Sequence, residues 1–176
     1  PAAATMAACW ADAAFSKSIE EARNTFPVSS VKDEVSWHPE DVCNYLTQND
    51  IPAKLEIMGF AATGAEKQFG TLVRERVDEG HIVVICLKLD KITRDESGDP
   101  ECRANLYYNG TGGHFLVIKG YRIVDEQMYC EVQDPWGLDL KYSDGTYKGA
   151  NRYYLSDDLY AASISHNKKL VIVSMK

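Results

Sequence analysis

The run Ile82-Val83-Val84-Ile85-Cys86-Leu87 is the longest apolar stretch rich in β-branched residues in the chain. It is far too short to span a membrane, and its β-branched side chains suit a buried strand. That commits the second half of the sequence to a sheet. A second apolar run begins at His114 and continues through Ile118 towards Ile123, and a third covers Met128 to Gln133. Val124-Asp125-Glu126 between them is short enough for a hairpin turn. Short strands are predicted around Leu138–Tyr142 and Arg152–Leu155, and a terminal apolar strand over Leu170–Met175.

Upstream of Gly80 the period changes. Residues 9 to about 24 space Ala11, Ala14, Phe15 and Ile19 as one helical face, and Pro27 with Ser29-Ser30 ends the pattern. Ser36 or His38 is placed to cap a second helix, with Pro39 in its first position and Glu40 and Asp41 in its first turn. Leu55 to Gly64 is irregular. Glu66 to Asp78 returns to helical spacing through Phe69, Leu72, Val73 and Val77. Lys91 to Gly113, with Gly98, Pro100, Gly110 and Gly112, reads as a loop excursion, and Ser156-Asp157-Asp158 as the cap of a brief helical turn. Helices first and strands afterwards define an α+β class, N-terminal helices packed on a C-terminal antiparallel sheet, with residues 1–176 as one domain.

Acidic and basic residues are interleaved, with a net charge of −7. This argues against nucleic acid or an anionic membrane surface as partner. The chain starts at Pro1 without a visible signal peptide, the expectation for a processed product or a domain cut from a larger chain. Five cysteines stand at 9, 43, 86, 102 and 130, with no Cys-x-x-Cys or Cys/His cluster. No zinc site and no other cofactor is expected. Cys86 and Cys130 fall in apolar strands and Cys43 on the inner face of a helix. Cys102 lies in a polar loop, where a disulfide to another cysteine stays open.

Cys9 is different. If it opens the first helix, the unpaired N–H groups there favour its thiolate. On the hairpin, His114 begins one strand and Asp134 follows the end of its partner, so antiparallel pairing brings them together. A carboxylate beside an imidazole fixes its tautomer and stabilises its protonated form. Taken singly, each feature has a commoner explanation: a packing cysteine, a hydrogen-bonded strand histidine, an Asp-Pro turn. Together they outline a nucleophile, a base and an orienting group. His81, His38 and His166 read as structural or exposed residues. The Gly110-Thr111-Gly112-Gly113 run is either a flexible turn or a place where a substrate backbone approaches closely.

These residues carry a resemblance. Cys9-Trp10-Ala11 at a helix, Gly113-His114-Phe115 opening a strand and Asp134-Pro135-Trp136-Gly137 after the next strand resemble the papain-like cysteine peptidases in their compact bacterial form. That group includes bacteriocin-processing (double-glycine) peptidases and effector proteases injected by plant-pathogenic bacteria. The resemblance implies a papain-like fold and a thiol endopeptidase with catalytic Cys9, His114 and Asp134. Trp136 would shield the Asp–His contact, and Trp10 and Gly113 would line the substrate site. It implies a protein or peptide substrate, and a secreted or injected effector or toxin domain, or a module of a transporter chain. One position departs from the pattern. The oxyanion glutamine expected six residues before the cysteine is Ala3 here. A glutamine deamidase or transglutaminase using the same three residues, or a papain-fold binding module with little activity, are the competing expectations.

Overall fold

The computed structural model describes residues 1–25, 37–60, 63–137 and 139–176. The chain runs α1 (Ala2–Ala11), α2 (Ile19–Thr25), α3 (Pro39–Gln48), β1 (Ala53–Ile57), α4 (Ala65–Asp78), β2 (Ile82–Lys88), β3 (Gly113–Val124), β4 (Gln127–Gln133), β5 (Arg152–Leu155), α5 (Ser156–Ile164) and β6 (Lys169–Val173). The strands form one antiparallel sheet in the order β1-β6-β2-β3-β4-β5. The class is α+β, as expected.

β2 lies inside the sheet, paired on both sides, and its side chains divide by parity. Val83, Ile85 and Leu87 join Phe69 and Val73 of α4 and Leu159 and Ala162 of α5. Ile82 and Val84 join α1, Ala22 of α2, and α3. The apolar run is continuous because both faces are covered. The small alanines of α1 at 3, 4, 7, 8 and 11 are all buried, so this helix lies close to its neighbours.

Several boundaries match the expected ones. Pro39 occupies the first turn of α3, and the His38 N–H donates to Asp41 Oδ2 at 2.7 Å. α4 spans the predicted segment, and Gly80 follows it with φ of +81°. Asp125 and Glu126 carry φ of 48° and 65° and make the two-residue β3–β4 turn.

Other expectations are corrected. The first helix does not run from residue 9 to 24: α1 ends at Ala11, Asp12 Oδ1 accepts from the Ala14 N–H, and a separate α2 starts at Ile19. Leu55 to Ile57, the start of the stretch read as irregular, belong to edge strand β1 on β6. The helix after Ser156 has nine residues. Around Lys141, among the described residues, an isolated bridge to Tyr147 forms in place of the expected strand. The excursion after β2 is tied down by bridges from Arg94 to Leu106 and from Ala104 to Tyr153. Pro27, Ser29, Ser30, Ser36 and Leu138 lie outside the described residues. No helix among the described residues is long and apolar enough to cross a membrane.

One irregularity governs the site. The β3–β4 register shifts between Ile118 and Gly120, leaving Lys119 as the extra residue. Before the shift Ile118 faces Val132; after it Tyr121 faces Cys130. A one-residue slip exchanges the faces of a strand. The bulge therefore gives His114, Leu116 and Ile118 the face of Val132 and Asp134. Without it, His114 would point to the opposite side of the sheet.

Leu116 is fully buried on this strand and face. Leu116→Ala is expected to destabilise the fold by about 2–5 kcal/mol, measured by urea unfolding against wild type.

Candidate active site

Asp134 follows the last residue of β4 and has no solvent exposure. A buried carboxylate must be hydrogen-bonded or protonated, and this one is fully supplied. His114 Nε2 lies 2.7 Å from Oδ1, which also accepts the Trp136 N–H at 2.9 Å. Oδ2 accepts the Tyr108 hydroxyl at 3.0 Å and the Tyr154 hydroxyl at 3.4 Å. The Asp134 N–H donates to the Gly149 carbonyl at 2.7 Å. With Asp134 on Nε2, the imidazole carries its hydrogen there, and Nδ1 makes no hydrogen bond among the described residues.

Aromatic rings wall the pair. The Trp136 ring centroid is 4.5 Å from that of His114 at 39°, and Tyr108 lies 4.8 Å from Trp136 and 6.5 Å from His114. Trp136 is 46% exposed while His114 is 7% exposed. The indole thus covers the imidazole with one face and meets solvent with the other. Tyr107 donates to the Trp136 carbonyl at 2.8 Å and packs edge-on against Tyr108. Burial and then the Asp134 charge push the Tyr108 hydroxyl far above the usual phenol range. It stays a donor at any pH the fold survives.

Tyr107, Tyr108 and Tyr154 were not singled out by the sequence reading. The first two sit in what read as a polar excursion, and the adjacent Tyr-Tyr pair at 107–108 was the available signal. Tyr154 was legible only as part of a short strand.

Gly113 is the first residue of β3. A Cβ there would stand 2.8 Å from His166 Nε2, so the absent side chain makes room for that ring. The His166 imidazole is held below its usual pKa by burial, then by Lys88 and His38 nearby.

The thiol side of the expectation is corrected. Cys9 is the eighth residue of the ten in α1 and stands near its C-terminal end, where the helix dipole opposes a thiolate. The Ala11 carbonyl accepts from the Lys176 N–H, just past β6 residue Val173, which pairs with Ile82. His114 pairs with Leu87, roughly 16 Å further along β2 at the usual strand rise. α1 also packs on the face of Val84 and Val117, opposite to that of His114 and Leu116. Cys9 is exposed and no hydrogen bond joins it to His114. Trp10 goes with it, packing partly buried against the α1–α3 core instead of lining the site. Ala3 is buried inside α1.

The other cysteines are free thiols. Burial pushes Cys86 and Cys130 up to about 12 and raises Cys43. Cys102 donates from Sγ to the Ala104 carbonyl at 3.3 Å. Among the described residues, no group of three or more His, Cys, Asp or Glu is arranged to hold a metal ion.

No protein-family model and no curated protein matches the sequence. A solved structure from Bacillus anthracis, designated a "putative C39-like peptidase", is similar at 16% identity over 78% of this chain, with a TM-score of 0.41. The chain spans 59% of that structure's length.

Two predictions follow from this geometry. Gly137 has φ of +75°, and a Cβ there would overlap the Tyr107 hydroxyl. Gly137→Ala is expected to cost about 1–2 kcal/mol in backbone strain alone and to displace Tyr107, seen as lower thermal stability with altered Trp fluorescence. In the folded protein, iodoacetamide at pH 8 should label Cys9 while sparing Cys86 and Cys130, and His114→Ala should leave the Cys9 rate unchanged. Mass spectrometry of the labelled peptides reads both.

Proposed function

We propose that the chain is a hydrolase of amide bonds in peptides or proteins, with His114 as general base and acid and Asp134 as its orienting carboxylate. The observation that carries this reading is the buried His114–Asp134 contact of 2.7 Å, with Trp136 stacked over the imidazole and Nδ1 left free. A neutral imidazole held in one tautomer and shielded from water accepts a proton at Nδ1 and keeps the resulting cation beside a carboxylate. The nucleophile loses that proton as it attacks the carbonyl carbon. The same proton then passes from Nδ1 to the leaving nitrogen as the C–N bond breaks.

In the papain-like scheme the nucleophile is a thiol that opens a helix, and the thioester it forms is hydrolysed by a second proton transfer through the same histidine. Cys9 closes α1 instead. On this reading the group activated at Nδ1 is a water molecule, and Cys9 takes part only if α1 rearranges. The resemblance noted in the sequence supports a role as an effector, toxin or transporter-linked module.

A second reading, a binding module that retains the site without turnover, is favoured by one observation. None of the five thiols is hydrogen-bonded to His114.

Peptide and protein substrates, followed by mass spectrometry and by ammonia release, separate these readings. His114→Ala is expected to reduce hydrolysis by roughly 10²–10⁴-fold, and Cys9→Ala to leave it unchanged. Equal hydrolysis with and without His114 would overturn the proposal, and loss on Cys9→Ala would return the nucleophile to that thiol. Ammonia without chain cleavage would make the substrate a side-chain amide. Peptide binding without cleavage, weakened by Trp136→Ala, would establish the binding module.

A further inference from the structure

Arg152 opens β5 with no solvent exposure, and among the described residues His114, Asp134 and Arg152 are the only buried acidic or basic side chains. No carboxylate lies within ion-pair distance of the guanidinium among the described residues. Its donors go to neutral oxygens: Nη1 to the Cys102 carbonyl and, at 2.8 Å, to the Tyr142 hydroxyl; Nη2 to the Asn105 carbonyl and, at 3.1 Å, to that of Ala104. Its Nε is buried with no partner. The guanidinium also stands over the Tyr107 ring, 4.5 Å from the centroid.

A buried, ionised guanidinium without an acid is costly unless a charge nearby balances it. The sheet locates that charge: Arg152 pairs with Val132 across the β4–β5 ladder, two residues before Asp134. Burial first, then Asp134 raising and Arg152 lowering, shift both the Tyr154 and the Tyr107 hydroxyl. Arg152 also lowers the Asp95 carboxyl, but that group lies outside the core and owes its shift first to Ser97. Tyr154 hydrogen-bonds to Asp134 Oδ2, and Tyr107 holds the Trp136 carbonyl. Both rings therefore lie in the fields of both charges.

We infer that Arg152 is the buried counter-charge of Asp134 and a positioning residue for His114, keeping its imidazole in the neutral, proton-accepting form. Without it, the Asp134 carboxylate would be an unbalanced buried charge, neutralised by a proton either on His114 or on the carboxylate itself. With it, Asp134 and Arg152 sum to zero and His114 needs no charge at rest. The same guanidinium fixes the carbonyls of residues 102–105, the segment that delivers Tyr107 and Tyr108 to Trp136 and Asp134. This rests on His114 serving as the base, but its test needs no substrate.

The other titratable groups around the pair are Tyr108 and Tyr154 on Asp134, Lys88 and His166 beside the neighbouring Gly113, Asp95 in the field of Arg152, and Asp139 in that of Tyr107. All are left in place by the single substitutions below. The His114 ring signals are followed by NMR against pH in wild type, Arg152→Gln and Arg152→Lys. Arg152→Gln keeps N–H donors for the carbonyls and removes the charge. It is expected to move the His114 midpoint upward by about one pH unit, the effect of a unit charge roughly 10 Å away at an effective dielectric of about 20. Arg152→Lys is expected to leave the midpoint within a few tenths of wild type even where it lowers the melting temperature. A folded Arg152→Gln with an unmoved midpoint would overturn the inference and leave Arg152 a structural residue.

If Arg152→Gln does not fold, Arg152→Gln/Asp134→Asn decides. Removing both charges restores neutrality and is expected to recover cooperative unfolding. A double variant as unfolded as the single one would overturn the inference as well. Failure to hydrolyse any peptide would count against the proposed activity and leave these midpoints unaffected.

Discussion

A carboxylate with no access to water has to be satisfied by the protein, and much of this molecule's second half is arranged around doing so for Asp134. The donors come from four separate places in the sequence: β3 through His114, the excursion after β2 through Tyr108, β5 through Tyr154, and the turn after β4 through the Trp136 N–H. Each must arrive within about 3 Å for the charge to remain buried. Residues 91–112 therefore cannot behave as a free loop, although their composition suggests one. Their bridges at Arg94 and Ala104 and the carbonyl contacts to Arg152 hold Tyr107 and Tyr108 against the Trp136 ring. A hydrogen-bond requirement at one atom pair thus becomes a packing requirement on a long connection.

The meeting of His114 and Asp134 was legible in the sequence because hairpin pairing is local. Two apolar runs and a two-residue turn suffice to place a strand's start near its partner's end. What a hairpin does not disclose is parity. Proximity along the strands would be met equally well with the two side chains on opposite faces, and the Lys119 bulge is what puts them on one. Bulges leave little trace in composition, since Ile118-Lys119-Gly120 reads like any strand interior with a small residue. β1 was invisible for a related reason. Ala-Lys-Leu-Glu-Ile at an edge carries two charged residues, and its pairing with β6 depends on a segment more than 100 positions away.

The error at Cys9 has a different origin. Alanine is the strongest helix former, and the stretch from Ala2 to Ala14 contains eight of them with no glycine or proline. Periodicity in such a segment is weak, so the start of a helix cannot be located by pattern. The deciding feature is Asp12, whose carboxylate accepts the Ala14 N–H and whose own N–H caps the helix on the Ala8 carbonyl. An Asp at that position competes with the backbone and favours a turn over continuation. Reading Asp12 as a stop would have assigned Cys9 to the last turn, with the opposite electrostatic consequence.

The two faces of the sheet consequently divide the work of a site like this one. α1, α2 and α3 cover the face of Val84 and Val117, and the His114–Asp134 pair belongs to the face of Leu116 and Val132. A nucleophile carried by α1 cannot reach Nδ1 through the sheet; it has to come around its end. α1 is about 15 Å long, and its C-terminal end is fixed near Lys176 and the Val173–Ile82 pair. Cys9, in the last turn of that helix, lies where the helix dipole opposes an anion.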